Sequence, residues 1–342
     1  MSTDPLQRVD RGIWLTIAAV ALIDIMAAVA GPFTIAWGNL GILAGVSAVL
    51  VAAGYYYRHI RRDERIALLF ICNVQIMSFA IVSAALSYVA ASAAFPLWDA
   101  SLTAWDARLG FHWADWLSVM EAHPSWHLIL RIAYMTLIAQ PVVFIVILAA
   151  ANQLMHLRIV LVSTIMTILT VIILATFFPA AGPGLHSIGP VAVTTGFIPA
   201  SWDSWPILEG LRNGTYRQLF TADADGIVTF PSYHAAAGLL GIFAMWPVKF
   251  ARWFSLILNV AMIAATPVDG GHYIVDVIAG LAVAGLAWTA ATWIIARSAA
   301  VPAIPALLIC EDAPSITSPA MPIARDTQQR EPTRHYARDD VI

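Results

Sequence analysis

Long, almost uncharged runs of apolar residues recur along this chain, and they constrain its fold more than any other feature. A hydrocarbon core about 30 Å thick is crossed by roughly 20 residues of helix. In lipid the backbone must satisfy its own hydrogen bonds, so such runs fold as helices. Eight runs qualify, at 13–30, 37–57, 66–89, 127–150, 159–178, 232–246, 253–265 and 272–296. The sixth and seventh are short and span only if flanking residues continue their helices. Of the 342 residues, 60% are hydrophobic and 11% charged, against roughly 25% charged in soluble domains. The expected fold is an all-α integral membrane protein of about eight transmembrane helices. A net charge of −3 offers no electrostatic footprint for nucleic acid. Cys72 and Cys310 are the only cysteines, so neither a disulfide framework nor a cysteine metal site is implied.

Basic residues near the span ends set the orientation. With the N-terminus inside, Arg8, Arg11, Arg58, Arg61, Arg62, Arg65, Arg158, Lys249, Arg252 and Arg297 all fall in the cytoplasm. The opposite face receives Arg108, Arg212 and Arg217, with Arg131 slightly inside the membrane, and collects Asp99, Asp106, Asp115, Glu121, Asp203, Glu209, Asp223, Asp225 and Asp269. Ala28-Val29-Ala30 has the small-residue form of a signal-peptidase site, but Asp24 within the run favours an uncleaved span. Residues 95–126 interleave Trp98, Trp105, Trp113 and Trp116 with acids. That pattern fits an amphipathic helix at the interface or an ordinary aromatic belt. Residues 179–231 form a long Gly- and Pro-rich segment of the kind that is functional or disordered.

Two short strings carry the chemistry. In Phe230-Pro231-Ser232-Tyr233-His234, proline is favoured at the first position of a helix. The amides of Ser232, Tyr233 and His234 would then face an anion at the helix N-terminus. In Gly270-Gly271-His272-Tyr273-Ile274-Val275-Asp276, His272 and Asp276 are four apart and share one face of a helix. Asp276 can fix the imidazole tautomer and leave the other nitrogen as a nucleophile. A lone histidine at a span end is ordinarily just an interfacial polar residue. An acid inside a span is costly and marks function by default, and two matching helix starts on one face point to a shared pocket.

These strings resemble the second and third signatures of the type 2 phosphatidic acid phosphatase superfamily, which read Pro-Ser-Gly-His and Ser-Arg, five residues, His, three residues, Asp. Pro231, Ser232 and His234 match the second, with Tyr233 in place of glycine. His272 and Asp276 match the third, with Ala265 and Thr266 where Ser-Arg would stand. The first signature is absent, since Lys249 is the only lysine. The His-Tyr-x-x-Asp string, and the run from Pro179 to Pro183, resemble the inositol phosphorylceramide synthase and sphingomyelin synthase branch.

The resemblance implies a metal- and cofactor-independent phosphotransferase or phosphatase. His272 would attack phosphorus, Asp276 would orient it, and His234 would protonate the leaving oxygen. Ser232 and Tyr233 would contact phosphate. Arg212, Arg217 and Arg131 would stand in for the missing cations, with His186 a weaker candidate. The implied organisation is a two-span segment at 1–65, a core at 66–297 made of a six-helix phosphatase-like bundle, and a disordered cytoplasmic tail at 298–342. The donor would be a phospholipid, with an inositol phosphate-like head group, or a lipid phosphate or prenyl diphosphate. The acceptor would be a lipid hydroxyl or water, met on the non-cytoplasmic face. A silent scaffold or transporter that keeps the fold is the reading of another class.

Overall fold

Each of the eight runs is helical in the computed structural model, which describes residues 5–187, 199–221 and 226–300. The tail from residue 301, with Cys310, lies outside the described residues, as do Asp223 and Asp225. In chain order the elements are α1 (Pro5–Ala30), β1 (Thr34–Ile35), α2 (Trp37–His59), α3 (Glu64–Ala91), α4 (Asp99–Arg108), α5 (Trp113–Ala122), α6 (Pro124–Met135), α7 (Gln140–Ala150), α8 (Leu154–Phe177), α9 (Pro183–Ser187), α10 (Ala200–Asn213), β2 (Gln218–Leu219), α11 (Tyr233–Met245), α12 (Arg252–Asp269) and α13 (Ile274–Ala300).

The chain is an all-α membrane protein, with five to six described helices that meet the length and apolarity of a span. Among the described residues, α1, α2, α3, α8 and α13 are long and apolar enough to cross a bilayer. The fourth run is not one rod. It breaks into α6 and α7 at a 3-10 turn, Thr136–Ile138, with a bend of 68°. Pro141, at the start of α7, has no N–H to give and its ring excludes the carbonyl four residues back. Counted together, this pair makes a sixth span. With 13 residues, α11 reaches only about 20 Å at 1.5 Å per residue, and α12 is not among the spanning helices.

The bundle centres on α3, α8, α11 and α13. Apolar side chains of α1, α3, α7 and α8 share one buried cluster that includes Ile13, Leu68, Phe79, Leu148 and Leu161. On the other side, α11 lies between α12 and α13, and α6 covers α12. Asp63 caps α3 by accepting from the amides of Arg65 and Ile66, both at 3.1 Å. A short parallel pairing of Thr34 with Gln218 and Ile35 with Leu219 ties the α1–α2 connection to the segment after α10.

Candidate active site

Two helix starts meet at one end of the bundle. Ser232 caps α11, its Oγ accepting the Ala235 amide at 3.4 Å. Pro231 therefore precedes the helix instead of opening it, because serine is itself a strong N-cap. The Ser232 amide is not free for an anion either: it donates to the Asp276 carbonyl at 3.0 Å. The amides of Tyr233 and His234, in the first turn, remain without intrahelical acceptors. This backbone bond joins the two motifs directly. It depends on Gly280, where a Cβ would press into the Ser232 carbonyl.

The second start holds the dyad. His272 lies just before α13, not on it, in a turn where Gly271 has φ of +65°. The two side chains still meet: His272 Nδ1 is 3.3 Å from Asp276 Oδ2. The same carboxylate oxygen accepts the Tyr273 amide at 2.9 Å. Both groups are buried, Asp276 completely. With the carboxylate ionised, Nδ1 must donate, and in the neutral tautomer that this selects Nε2 carries the lone pair.

Helix α6 supplies what stands beside the dyad. His127, Arg131 and Tyr134 follow one another at i, i+4 and i+7, so they share a face. The Tyr134 ring stacks on His234, and its hydroxyl and the His272 ring both crowd the place where a Cβ on Gly270 would stand. His234 lies within electrostatic reach of His272. His127 Nε2 is 3.2 Å from Asp269 Oδ1, and the charge of Arg131 also acts on Asp269.

The aromatic–acidic strip at 95–126 folds into α4 and α5. The buried face of α4 is Asp99, Leu102 and Asp106. Asp99 accepts the amides of Ala181, at 3.0 Å, and Gly182, at 2.9 Å, and the Tyr273 hydroxyl at 3.0 Å. Asp106 accepts the first two amides of α13, from Ile274 at 2.9 Å and Val275 at 3.0 Å. Burial raises the Asp106 carboxyl above its ordinary value of 3.8, and the two amides oppose that rise. Trp113 Nε1 donates to the Pro267 carbonyl at 2.6 Å. Gly182, with φ of +104°, lies where a Cβ would strike the Gly271 carbonyl. Among the described residues, no group of three or more His, Cys, Asp or Glu side chains is arranged to hold a metal ion.

Residues 100–290, more than half of the chain, match the PAP2 superfamily. The chain belongs to the PAP2 superfamily. Comparison with curated proteins and with solved structures returns no significant match. PAP2 membership supports an enzyme of the phosphatase or phosphotransferase kind. The matched region covers α4 through most of α13, and so every residue of the His272–Asp276 and His234 constellation.

Measured against the PAP2 signature, the departures acquire a structural setting. Thr266, at the position of the signature arginine, is buried and its hydroxyl donates to the Met262 carbonyl at 2.9 Å. The structure does not bring Arg212 or Arg217 to the histidines. Arg212 donates to the Phe95 carbonyl at 2.8 Å and lines a small cavity with Leu208 and Thr229. Arg217 stands 5.4 Å over the Phe33 ring and donates to the Leu211 carbonyl at 3.3 Å. Tyr233 lines a cavity of about 40 Å³ with Gln140 and Phe144, inside the bundle. His186 is exposed on the short helix α9. Of the cations expected at the PAP2 site, Arg131 is the one whose charge acts on Asp269, three residues before His272.

Proposed function

We propose that this PAP2 enzyme moves a phosphorylated head group, inositol phosphate-like, from a phospholipid to a lipid hydroxyl, on the non-cytoplasmic side of the membrane. The observation that carries the reading is the held dyad: a carboxylate fixes Nδ1 of His272, and His234 stands near it, clasped by Tyr134. In the first step His272 Nε2 attacks phosphorus and forms an N–P bond. The P–O bond to the diacylglycerol oxygen breaks, and that oxygen takes a proton from His234. In the second step His234 takes the proton of the acceptor hydroxyl, the new P–O bond forms and the N–P bond breaks. Asp276 holds the imidazolium-like charge through both steps. Arg131, next to Asp269, supplies the positive charge that the missing signature residues would give. With water as acceptor, the same residues hydrolyse a lipid phosphate.

The purified protein is incubated with phosphatidylinositol labelled at phosphorus, ceramide and diacylglycerol, and in parallel with phosphatidic acid and prenyl diphosphate. Lipid mass spectrometry should find a new phosphodiester. Free phosphate alone makes the enzyme a hydrolase. Denaturing quench should leave label on His272 and none on His234. His272→Ala should abolish both label and turnover; label on His234 overturns the assignment.

A further inference from the structure

The opposite end of the bundle holds a second polar construction that the phosphoryl chemistry does not use. From Arg158 to Phe177, at the active-site end, α8 runs twenty residues, about 30 Å at 1.5 Å per residue. Arg158 is fully buried and bonds Asp10 of α1 at 2.6 Å and Cys72 Sγ of α3 at 3.2 Å. Arg58, at the end of α2, shares the network: its Nη2 is 2.6 Å from Glu64 and 3.6 Å from Asp10. These two acids balance these two arginines. Arg11 is then surplus, since it takes part in none of the ion pairs among the described residues.

Next to this network lies a cavity of about 440 Å³. Helices α1 and α2 both pack on α3 and barely touch each other, so the cavity opens between them. Its walls are the apolar bodies of Trp14, Tyr55, Val51 and Ile71, and its polar end is formed by Gln7, Asp10, Arg11, Arg58 and His59, where Asp10 is already engaged by Arg158 and Arg58. Most of α2 is exposed along its length, on the face that meets lipid. A cleft with apolar walls, and with two arginines against one already paired acid at its polar end, matches an amphiphile with a negative head.

We propose that the α1–α2 cleft is a binding site for an anionic phospholipid, separate from the substrate site. The phosphate sits against Arg11 and the free Nη1 of Arg58, and an acyl chain runs down Val51 and Trp14. Basic clusters at span ends attract anionic lipid head groups, and the guanidinium fork suits phosphate oxygens. A soluble phosphate would gain nothing from the aromatic walls, which is why a lipid is favoured. The site also gives α1 and α2 a role that the family core does not supply.

Native mass spectrometry of the purified full chain, with equal dioleoyl phosphatidylglycerol and dioleoyl phosphatidylcholine, tests this. Wild type should retain phosphatidylglycerol in clear preference. Arg11→Gln with His59→Gln should cut that preference by about fivefold or more, the scale of one basic residue at an anionic surface. Val51→Trp, which fills the cleft without changing charge, should remove the adduct itself. Phosphatidylglycerol, and not phosphatidylcholine, should also raise the wild-type melting temperature, a readout that needs no variant. Preference unchanged in the double variant, or a wild-type adduct in Val51→Trp, overturns the proposal. Wild type without preferential phosphatidylglycerol overturns it as well, and means that the tail, a second copy or nothing fills the cleft.

Discussion

The ring of Tyr134 lies 3.9 Å from that of His234, centroid to centroid, with 9° between their planes. A parallel stack at this distance fixes the imidazole plane, while the tyrosine hydroxyl and the His272 ring both lie close to where a Cβ on Gly270 would stand. A histidine that must give and then recover a proton gains from a fixed plane, because its transfer geometry is then already set. Tyr134→Phe keeps the stack and should change kcat by less than about threefold. Tyr134→Leu loses it and should cost about tenfold, the upper range of an aromatic pair. Steady-state kinetics on the two variants decides. Equal losses would assign the effect to the hydroxyl instead.

The cation assignment is equally open to measurement. Arg131→Ala should lower kcat/KM by about 10²-fold or more, as removal of a charge that stabilises a developing oxyanion does. Arg131→Lys should recover only part, because the bidentate fork is lost. Arg212→Ala and Arg217→Ala should stay within about threefold of wild type, since their guanidinium groups are engaged with Phe95, Leu211 and Phe33. A large loss at either loop arginine with a silent Arg131→Ala would reverse this ordering.

Those loop arginines illustrate where the sequence runs out. Charge and chain order put Arg212 and Arg217 just before the second motif, and nothing in the order of residues reveals that Arg212 bonds the Phe95 carbonyl from α10 or that Arg217 turns back onto α10 and Phe33. The membrane class, the helix positions and the two motifs were legible, because they rest on local apolar length and on spacing along one helix. The break at Pro141 carried a proline signal but was hidden by an apolar run on both sides of it. Tyr134 had a signal too: it stands i+7 from His127 and i+3 from Arg131. Asp99 and Asp106 are also seven apart, on one face with Leu102. Which partner such a face meets is a tertiary fact. Asp99 reaches 82 residues along the chain to Ala181, and Asp106 reaches 168 to Ile274.

That reach makes α4 a positioning element with separable effects. Asp106→Ala removes the side-chain acceptor from the first amides of α13 and should destabilise the protein by about 1 kcal/mol, the cost of a lost N-cap. Because those amides hold the helix that carries Asp276, kcat should fall along with the melting temperature. Asp99→Asn cannot accept from the Ala181 and Gly182 amides and the Tyr273 hydroxyl as well as a carboxylate does. It should loosen the turn that bears His272 and lower kcat more than it raises KM. Thermal melts and kinetics on both variants separate the two. Unchanged kcat in Asp99→Asn would remove this clamp from the mechanism.

Orientation is the prediction on which the site's biology depends. The basic residues Arg58, Arg61, Arg62 and Arg65 gather at the α2–α3 turn, and basic loops stay in the cytoplasm. The dyad is at the other end of α8, so the prediction is that it faces away from the cytoplasm. Labelling sites must be exposed for the test to mean anything, and the fold limits the choice: Ser204 is buried on α10, whereas Asp203 next to it is exposed. Arg61 is exposed at the α2–α3 turn, and Cys72 is buried and should not react. With Cys310 replaced by serine, Asp203→Cys should react with a membrane-impermeant maleimide in intact cells. Arg61→Cys should react only after permeabilisation. Labelling of Arg61→Cys in intact cells, with protection of Asp203→Cys, would invert the topology and place the histidine pair on the cytoplasmic face.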